Sequence, residues 1–433
     1  MRVNSVSQMD IFAYYPNTEL GDLERLTLCL NKIPYMSLIT ILNDERGKGR
    51  NEYTNETMFM IFVSQFVFQT GNFAGTRREL SRNPVLRNLV GLSDVDARMR
   101  GFPVVPEPGV FTTFITNLKN HQADIDQIFK ELVVQVAEKI PSFGKNIAGD
   151  GKYILSYAPN DHRHKNPDDG RCENDADYSI KQNWYYDKNG ERKVKKTTYY
   201  GFRKHTLVDA STELPVASAL KPASIDEKKT MIELLPTLPE VIKKRGKYAT
   251  FDRGYDSNDF LKAVRDTGRK PIIDNRILRK GDKLQQYRDT NIYYTESGAV
   301  FYYDERIESE EINELTGYEE YFQPMRYDGY EQSRECLRYE YDGKIYRIKI
   351  EDDPRVFNVV ARDSSKFHRL YNTRTSVERY HSRLDRDLGF EDHTIRGIDK
   401  MNVMVTLADI IILAMALVHV DKGQTNYGSI FNF

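Results

Sequence analysis

The stretch YNTRTSVERYHSRLDRDLGF, residues 371–390, sets a tyrosine, an arginine and a carboxylate in one stripe, Tyr371, Arg374 and Glu378 lying three and then four residues apart. At about 3.6 residues per turn these offsets predict a single helical face, with Arg374 one turn before Glu378 and able to orient its carboxylate. Taken alone, such a segment reads as an ordinary ion-paired surface helix. Two upstream segments change that reading. KNIAGDGKYI around Asp150 and KKRGKYATFDRGYDS around Asp252 each end an apolar run with an aspartate. Singly, each aspartate is a turn residue or a helix cap. Together with Glu378 they offer three carboxylates from two strands and a helix, the oxygen ligands that a pair of hard divalent cations such as Mg²⁺ takes alongside substrate phosphates. That is the equipment of metal-assisted phosphodiester chemistry.

The elements that must position these acids follow from the local patterns. Ile147 and Ala148 predict a buried strand delivering Asp150 to its end, with Gly149 and Gly151 leaving room for another backbone or a phosphate. Tyr248, Ala249, Thr250 and Phe251 predict a second strand, which Gly254 breaks into a turn before a helix over residues 257–267 and a short strand over 271–274. Between the two lie a hairpin with an Asp187-Lys188-Asn189-Gly190 turn, strands over 197–210 and 214–220, and a helix over 226–243. His162 and His164 sit in a polar loop without carboxylates at fixed spacing, and read as solvent-facing rather than metal-binding.

At these residues the chain resembles the DDE transposases of bacterial insertion sequences, especially the branch whose third motif reads Tyr-x2-Arg-x3-Glu-x6-Lys. Tyr371, Arg374 and Glu378 match that motif, GFRKHTLVDASTELPVASALKPAS (201–224) looks like the family's second and third core strands, and FDRGYDS like its second acidic motif. The resemblance spans most of residues 141–275 and 356–420. It implies an α/β fold with a ribonuclease-H-like mixed sheet flanked by helices, and catalysis by Asp150, Asp252 and Glu378 holding Mg²⁺, for which Mn²⁺ can substitute. It further implies a cut-and-paste transposase that binds the terminal inverted repeats of its element as double-stranded DNA, cleaves at the ends and transfers the strands to target DNA, as a homodimer on paired ends. Tyr371 and Arg374 are then expected on phosphate near the scissile bond. One position departs: Asp385 stands where the family has lysine, so Arg386 or Arg383 is expected to take over that contact. A ribonuclease-H-like nuclease that does not join strands is the alternative enzyme, and a domesticated DNA-binding regulator the alternative outside catalysis.

With 433 residues the chain is long enough for two or three domains, and 39% hydrophobic content marks it as globular. The net charge of -1 argues against a uniformly basic surface. The distribution is more informative. Lys193, Lys195, Lys196, Arg203 and Lys204 cluster on the side of the first acid in sequence, Lys243, Lys244, Arg245 and Lys247 lead into the second, and Arg362, Lys366, Arg369, Arg374, Arg379, Arg383 and Arg386 surround Glu378. These runs read either as DNA contacts or as solvated faces. Cys29, Cys172 and Cys336 show no paired spacing, which indicates neither a zinc site nor a disulfide framework and suits a reducing cytoplasm. The opening residues lack the apolar core of a signal peptide, so a cytoplasmic, nucleoid-associated protein is expected. The apolar run over 401–420 could span a bilayer by length, but Asp409 in its middle predicts instead a buried helix packed on the catalytic sheet.

Four regions are expected. Residues 1–140 form a helical DNA-end-binding domain, with Leu23, Leu26, Leu30 and Ile33 at helical spacing, Asn55 capping a helix, Thr76 with Glu79 as a capping box, Pro84 opening a helix and Gly91 closing it. Residues 141–275 are the first part of the catalytic core. Residues 276–355, dense in tyrosine and richer in acid than base, form a β-rich insertion with an Asp-Gly turn, either a structural platform or a grip on distorted DNA. Residues 356–433 complete the core and end in the apolar helix.

Overall fold

The computed structural model describes residues 21–47, 51–158, 172–275, 284–307, 321–362 and 364–428; His162 and His164 lie outside them. The chain divides into two compact units, one made of Met1–Phe143, Gly151–Thr230 and Val377–Phe433, the other of Gly144–Asp150 and Met231–Ser376.

The first unit begins with helices whose ends follow sequence-local chemistry. Helix Asn55–Val67 is capped by the Thr54 side chain, which accepts from the Thr57 backbone N–H at 3.0 Å, so the cap lies one residue before the expected Asn55. Helix Phe73–Arg82 starts at the Asn72 cap, not at a Thr76 box; Thr76 is buried inside it and Glu79 pairs with Arg82. Pro84 opens Pro84–Leu89 beneath the Asn83 cap, as expected. The apolar run is helix Ile398–Asp421. Apolar on all sides, it is a core helix: its most apolar window is 94% buried, and it packs on helices Gln122–Lys139 and Asp22–Lys32 and on a sheet strand.

The sheet begins with β1 (Asn146–Leu155), whose second half belongs to this unit. β2 (Asp177–Tyr186) and β3 (Arg192–Asp209) pair antiparallel around the Asp187–Gly190 turn, β4 (Pro215–Pro222) pairs with the far half of β3, and β3 lies beside β1. β3 is exposed or half-buried up to Tyr200 and buried from Gly201 onward. Gly201 sits at φ 151, where a Cβ would meet the Ile154 carbonyl oxygen at 2.2 Å and the Ser156 nitrogen at 2.6 Å. A side chain has no room there.

In the second unit the first half of β1 pairs in parallel with β5 (Tyr248–Phe251), and β5 in parallel with β6 (Lys270–Ile273). Helix Asn258–Asp266 connects β5 to β6 and buries Phe260, Leu261 and Val264, the crossover that a parallel pair requires. The helix expected over 226–243 is two, Glu227–Leu234 and Glu240–Arg245, because Pro236 and Pro239 interrupt it. The tyrosine-rich insertion forms two small antiparallel sheets around a core that includes Tyr287, Leu337, Tyr339, Ile348 and Phe357. Its hairpin turn is Asp342-Gly343, both at positive φ as a tight two-residue reversal demands. The mixed sheet with flanking helices, the helical N-terminal part and the separate β insertion are the ribonuclease-H-like α/β class expected from the sequence.

Candidate active site

Asp150 and Asp252 are brought together by strand register. Gly149 on β1 is the partner of Phe251 on β5, so Asp252 follows the last residue of β5, while Asp150 stands beside it in the interior of β1, which runs on to Leu155 instead of ending at the aspartate as the sequence suggested; the two strands lie roughly 4.8 Å apart. Ligand sites of open α/β sheets form at the C-terminal ends of parallel strands such as β5. Asp150 is half-buried and Asp252 exposed. Asp252 also starts the turn Arg253–Tyr255, its carboxylate accepting from the Arg253 N–H at 2.8 Å, which fixes that oxygen. Sequence reasoning passed over Arg253, whose guanidinium pairs with Asp274 at 3.1 Å just beyond β6.

The stripe from Tyr371 to Glu378 is not one continuous α-helix. Tyr371 ends helix Ser365–Tyr371, Arg374 lies in a tighter turn over Asn372–Arg374, and Glu378 stands exposed in the first turn of helix Thr375–Arg386. Two threonine hydroxyls account for the break: Thr373 donates to the Leu370 carbonyl at 2.7 Å and Thr375 to that of Asn372 at 3.1 Å, tightening the backbone locally. Within the second unit, Tyr371 stacks on Phe367 at 5.8 Å beside a cluster of Tyr248, Ile272 and Val360. Burial raises its hydroxyl pKa, and the negative charges of Asp252 and Asp274 push the same way, so the group stays a protonated donor. Glu378 belongs to the first unit, Asp150 and Asp252 to the second.

The expected DNA-facing cations separate sharply. Lys193, Lys195 and Lys196 are exposed on the outer part of β3. Lys204 is the clearest correction: it is wholly buried, its ammonium donating to Asp409 at 2.6 Å and to the Val405 carbonyl at 3.3 Å. The same carboxylate accepts from Ser218 at 2.7 Å and from Tyr380. The aspartate in the apolar helix is thereby explained as the counter-ion of a core lysine. Arg203 is buried too, held by Glu227 at 3.2 Å and Ser179 at 3.1 Å and lying over the Tyr153 ring at 4.2 Å. Arg362, counted among the cations flanking Glu378, is buried and donates to the carbonyls of Ile273 and Val356.

Arg383 is not available to replace the missing motif lysine, because its fork is tied to Glu213 at 2.8 Å and to the Gly428 carbonyl at 2.8 Å. Arg386 is exposed. Asp385 itself is occupied by a residue that sequence reasoning missed: Lys152 on β1 donates to it at 2.5 Å, both side chains being mostly shielded. The available signal was the position of Lys152 two residues after Asp150, hence on the same strand face.

Among the described residues no group of three or more His, Cys, Asp or Glu side chains stands close enough to hold a metal ion. Asp150 and Asp252 nevertheless have the donor chemistry a hard divalent cation takes, since Mg²⁺ binds through one or two carboxylates and leaves the rest of its shell to water and phosphate.

Two aspartates side by side on parallel strands of a mixed sheet are a donor pair suited to a hard cation, and sequence comparison gives the family. The Transposase DDE domain family matches residues 171–415, more than half of the chain, and the chain belongs to that family. Family members are in general enzymes that cut and transfer DNA with the help of divalent metal. A relative named as transposase for insertion sequence element IS402 of Burkholderia cepacia is 31% identical over 91 residues, 20% of this chain. The matched part spans 43% of that relative. Among solved structures, the piggyBac transposase in a synaptic complex with hairpin DNA aligns with a TM-score of 0.38 and 12% identity, covering 95% of this chain and 78% of that one.

Proposed function

We propose that the chain binds the terminal inverted repeats of its own element as duplex DNA, cleaves at the ends and joins the freed 3′-hydroxyls to target DNA, acting in the cytoplasm as a homodimer on paired ends. The reading rests on the in-register parallel pairing of β1 and β5, which sets Asp150 beside Asp252, in a chain of the transposase DDE domain family. Asp150, Asp252 and Glu378 would hold divalent metal, Mg²⁺ or Mn²⁺, which supplies activation of the attacking oxygen and neutralisation of the departing one. Arg374 offers a planar donor fork to a phosphate beside the scissile bond. Tyr371, kept protonated, gives a hydrogen bond there instead of a repelling charge. Arg386, exposed on the helix that carries Glu378, supplies a further phosphate contact. The helical region over residues 1–140 recognises the ends, and the insertion over 276–355 grips DNA distorted by cleavage, its tyrosines stacking on a displaced base.

The test is cleavage and joining of a labelled duplex carrying the DNA that flanks the gene. Asp150→Ala, Asp252→Ala and Glu378→Ala are each expected to abolish Mg²⁺-dependent cleavage while retaining binding. Near wild-type cleavage by any of them removes that residue from the acid set. Cleavage without joining by the unaltered protein would make it a nuclease.

A further inference from the structure

β2 and the outer half of β3 form a ribbon without a buried side: no described side chain from Asp177 to Tyr200 is buried. Residues 178–199 hold six cations, Lys181, Lys188, Arg192, Lys193, Lys195 and Lys196, against two carboxylates, Asp187 and Glu191, in a chain whose net charge is -1. Both acids are part of the turn. Asp187 accepts from the backbone N–H groups of Asn189 and Glu191 at 2.9 Å and pairs with Lys193, which holds its carboxyl below the usual range.

Charge alone would fit a guarded sheet edge, since lysines on an edge strand discourage pairing with another chain. The apolar groups contradict that. Ile180 is 60% exposed, Tyr185 50% and Tyr186 67%, with Tyr178 also exposed; four of the eleven large hydrophobic side chains exposed among the described residues lie on this one strand. Cross-strand register mixes the two kinds on each face: Tyr185 opposite Lys193 and Lys181 opposite Thr197 on one, Tyr186 opposite Arg192 and Gln182 opposite Lys196 on the other. Cations interleaved with aromatics suit a polyanion that also presents flat apolar surfaces. Dimensions agree. Nine residues from Tyr178 to Tyr186 extend ~30 Å, about nine base-pair steps at ~3.4 Å, and the major groove admits a two-stranded ribbon.

We propose that this ribbon is a DNA-binding arm that lies in a groove of duplex DNA, its lysines and Arg192 on the phosphates of the walls and Ile180, Tyr185 and Tyr186 against sugars and bases. It rests on the reading of the chain as a DNA-acting transposase, but is separable from it. The full-length protein is titrated with a duplex of flanking DNA and with an unrelated duplex over a range of salt. The triple variant Lys181→Gln, Lys195→Gln, Lys196→Gln is expected to bind both duplexes at least tenfold more weakly and to reduce the salt slope by about 2.7, three contacts at ~0.9 each. Ile180→Thr with Tyr185→Ser and Tyr186→Ser is expected to lose affinity about fivefold or more with the slope unchanged. Thermal midpoints stay at the wild-type value in both, because neither variant touches a buried residue. Wild-type affinity and slope in both variants overturns the arm, and so does an altered oligomeric state with unaltered binding, which assigns the ribbon to contact between copies of this chain. Failure of the unaltered protein to bind any duplex removes arm and transposase reading together. Loss of binding by the arm variants alongside normal cleavage by Asp150→Ala would keep the arm and discard the acid assignment.

Discussion

Lys195 and Lys196 in the outer part of β3 and Arg203 and Lys204 in its inner part are all long cationic side chains on one strand, yet the first pair is exposed and the second buried. Their partners decide the difference. Beyond Gly201 the strand passes beneath the apolar helix, whose Asp409 supplies a counter-charge, while Glu227 and the Tyr153 ring receive Arg203. Before Gly201 no described side chain of the strand is buried, and Lys193, Lys195 and Lys196 meet solvent. A basic run is therefore two things at once, a fastening for the fold and an exposed charged surface, and residue type does not tell them apart.

The largest test of this contrast is Lys204→Ala. Removing one member of a buried pair leaves Asp409 without its charge partner, and the expected loss is about 3–5 kcal/mol in a denaturation midpoint analysis. A loss as small as that of an exposed lysine would break the comparison. Next comes His205, buried beside Lys204, whose pKa is lowered to about 3 by burial first, then by Arg203 and Lys221, against the pull of Asp226. Between pH 6.5 and about 3 the unfolded imidazole binds a proton that the folded one refuses, so this stabilisation is full above pH 6.5 and is lost as pH falls toward about 3. At pH 5 the deficit is about 2 kcal/mol. His205→Phe should flatten the stability-versus-pH curve over that window, and an unchanged slope would show that the ring is protonated in the fold. Arg203→Ala gives up a partly shielded ion pair and a cation–ring contact, and about 1–2 kcal/mol is expected by the same measurement. Smallest is Lys196→Ala, within about 0.5 kcal/mol of the parent in stability, its effect showing instead in the salt dependence of DNA binding.

How legible the molecule was in its sequence depends on the range of the interaction involved. The start of β1 and the whole of β5, with Asp252 just past its end, were readable because a short apolar run and a glycine break are local signals; that β1 runs through Asp150 to Leu155 was not. So were the turn at Asp187–Gly190, the Asp342-Gly343 reversal and the buried character of the helix holding Asp409. The break at Asn372–Arg374 was hidden because Tyr371, Arg374 and Glu378 keep α-helical offsets, while the threonine hydroxyls that compete for the backbone show no period. Pro236 and Pro239 did signal the interruption after Leu234, and the helical pattern overrode them in the reading. Lys204 with Asp409 and Lys152 with Asp385 join residues more than two hundred positions apart. No spacing rule reaches that far, and so the missing motif lysine was sought nearby, at Arg383 and Arg386, although Asp385 takes its cation from β1.

Gly201 gives the strand a boundary that bears on how the protein can change over generations. On the core side a substitution disturbs buried partners, and at Gly201 itself any side chain collides with the β1 backbone. On the ribbon side no described side chain is buried, so an altered residue leaves folding nearly untouched. Mutational tolerance along β3 accordingly falls in one step at this glycine. The outer residues can change without cost to the fold, while the inner ones are held by their buried partners.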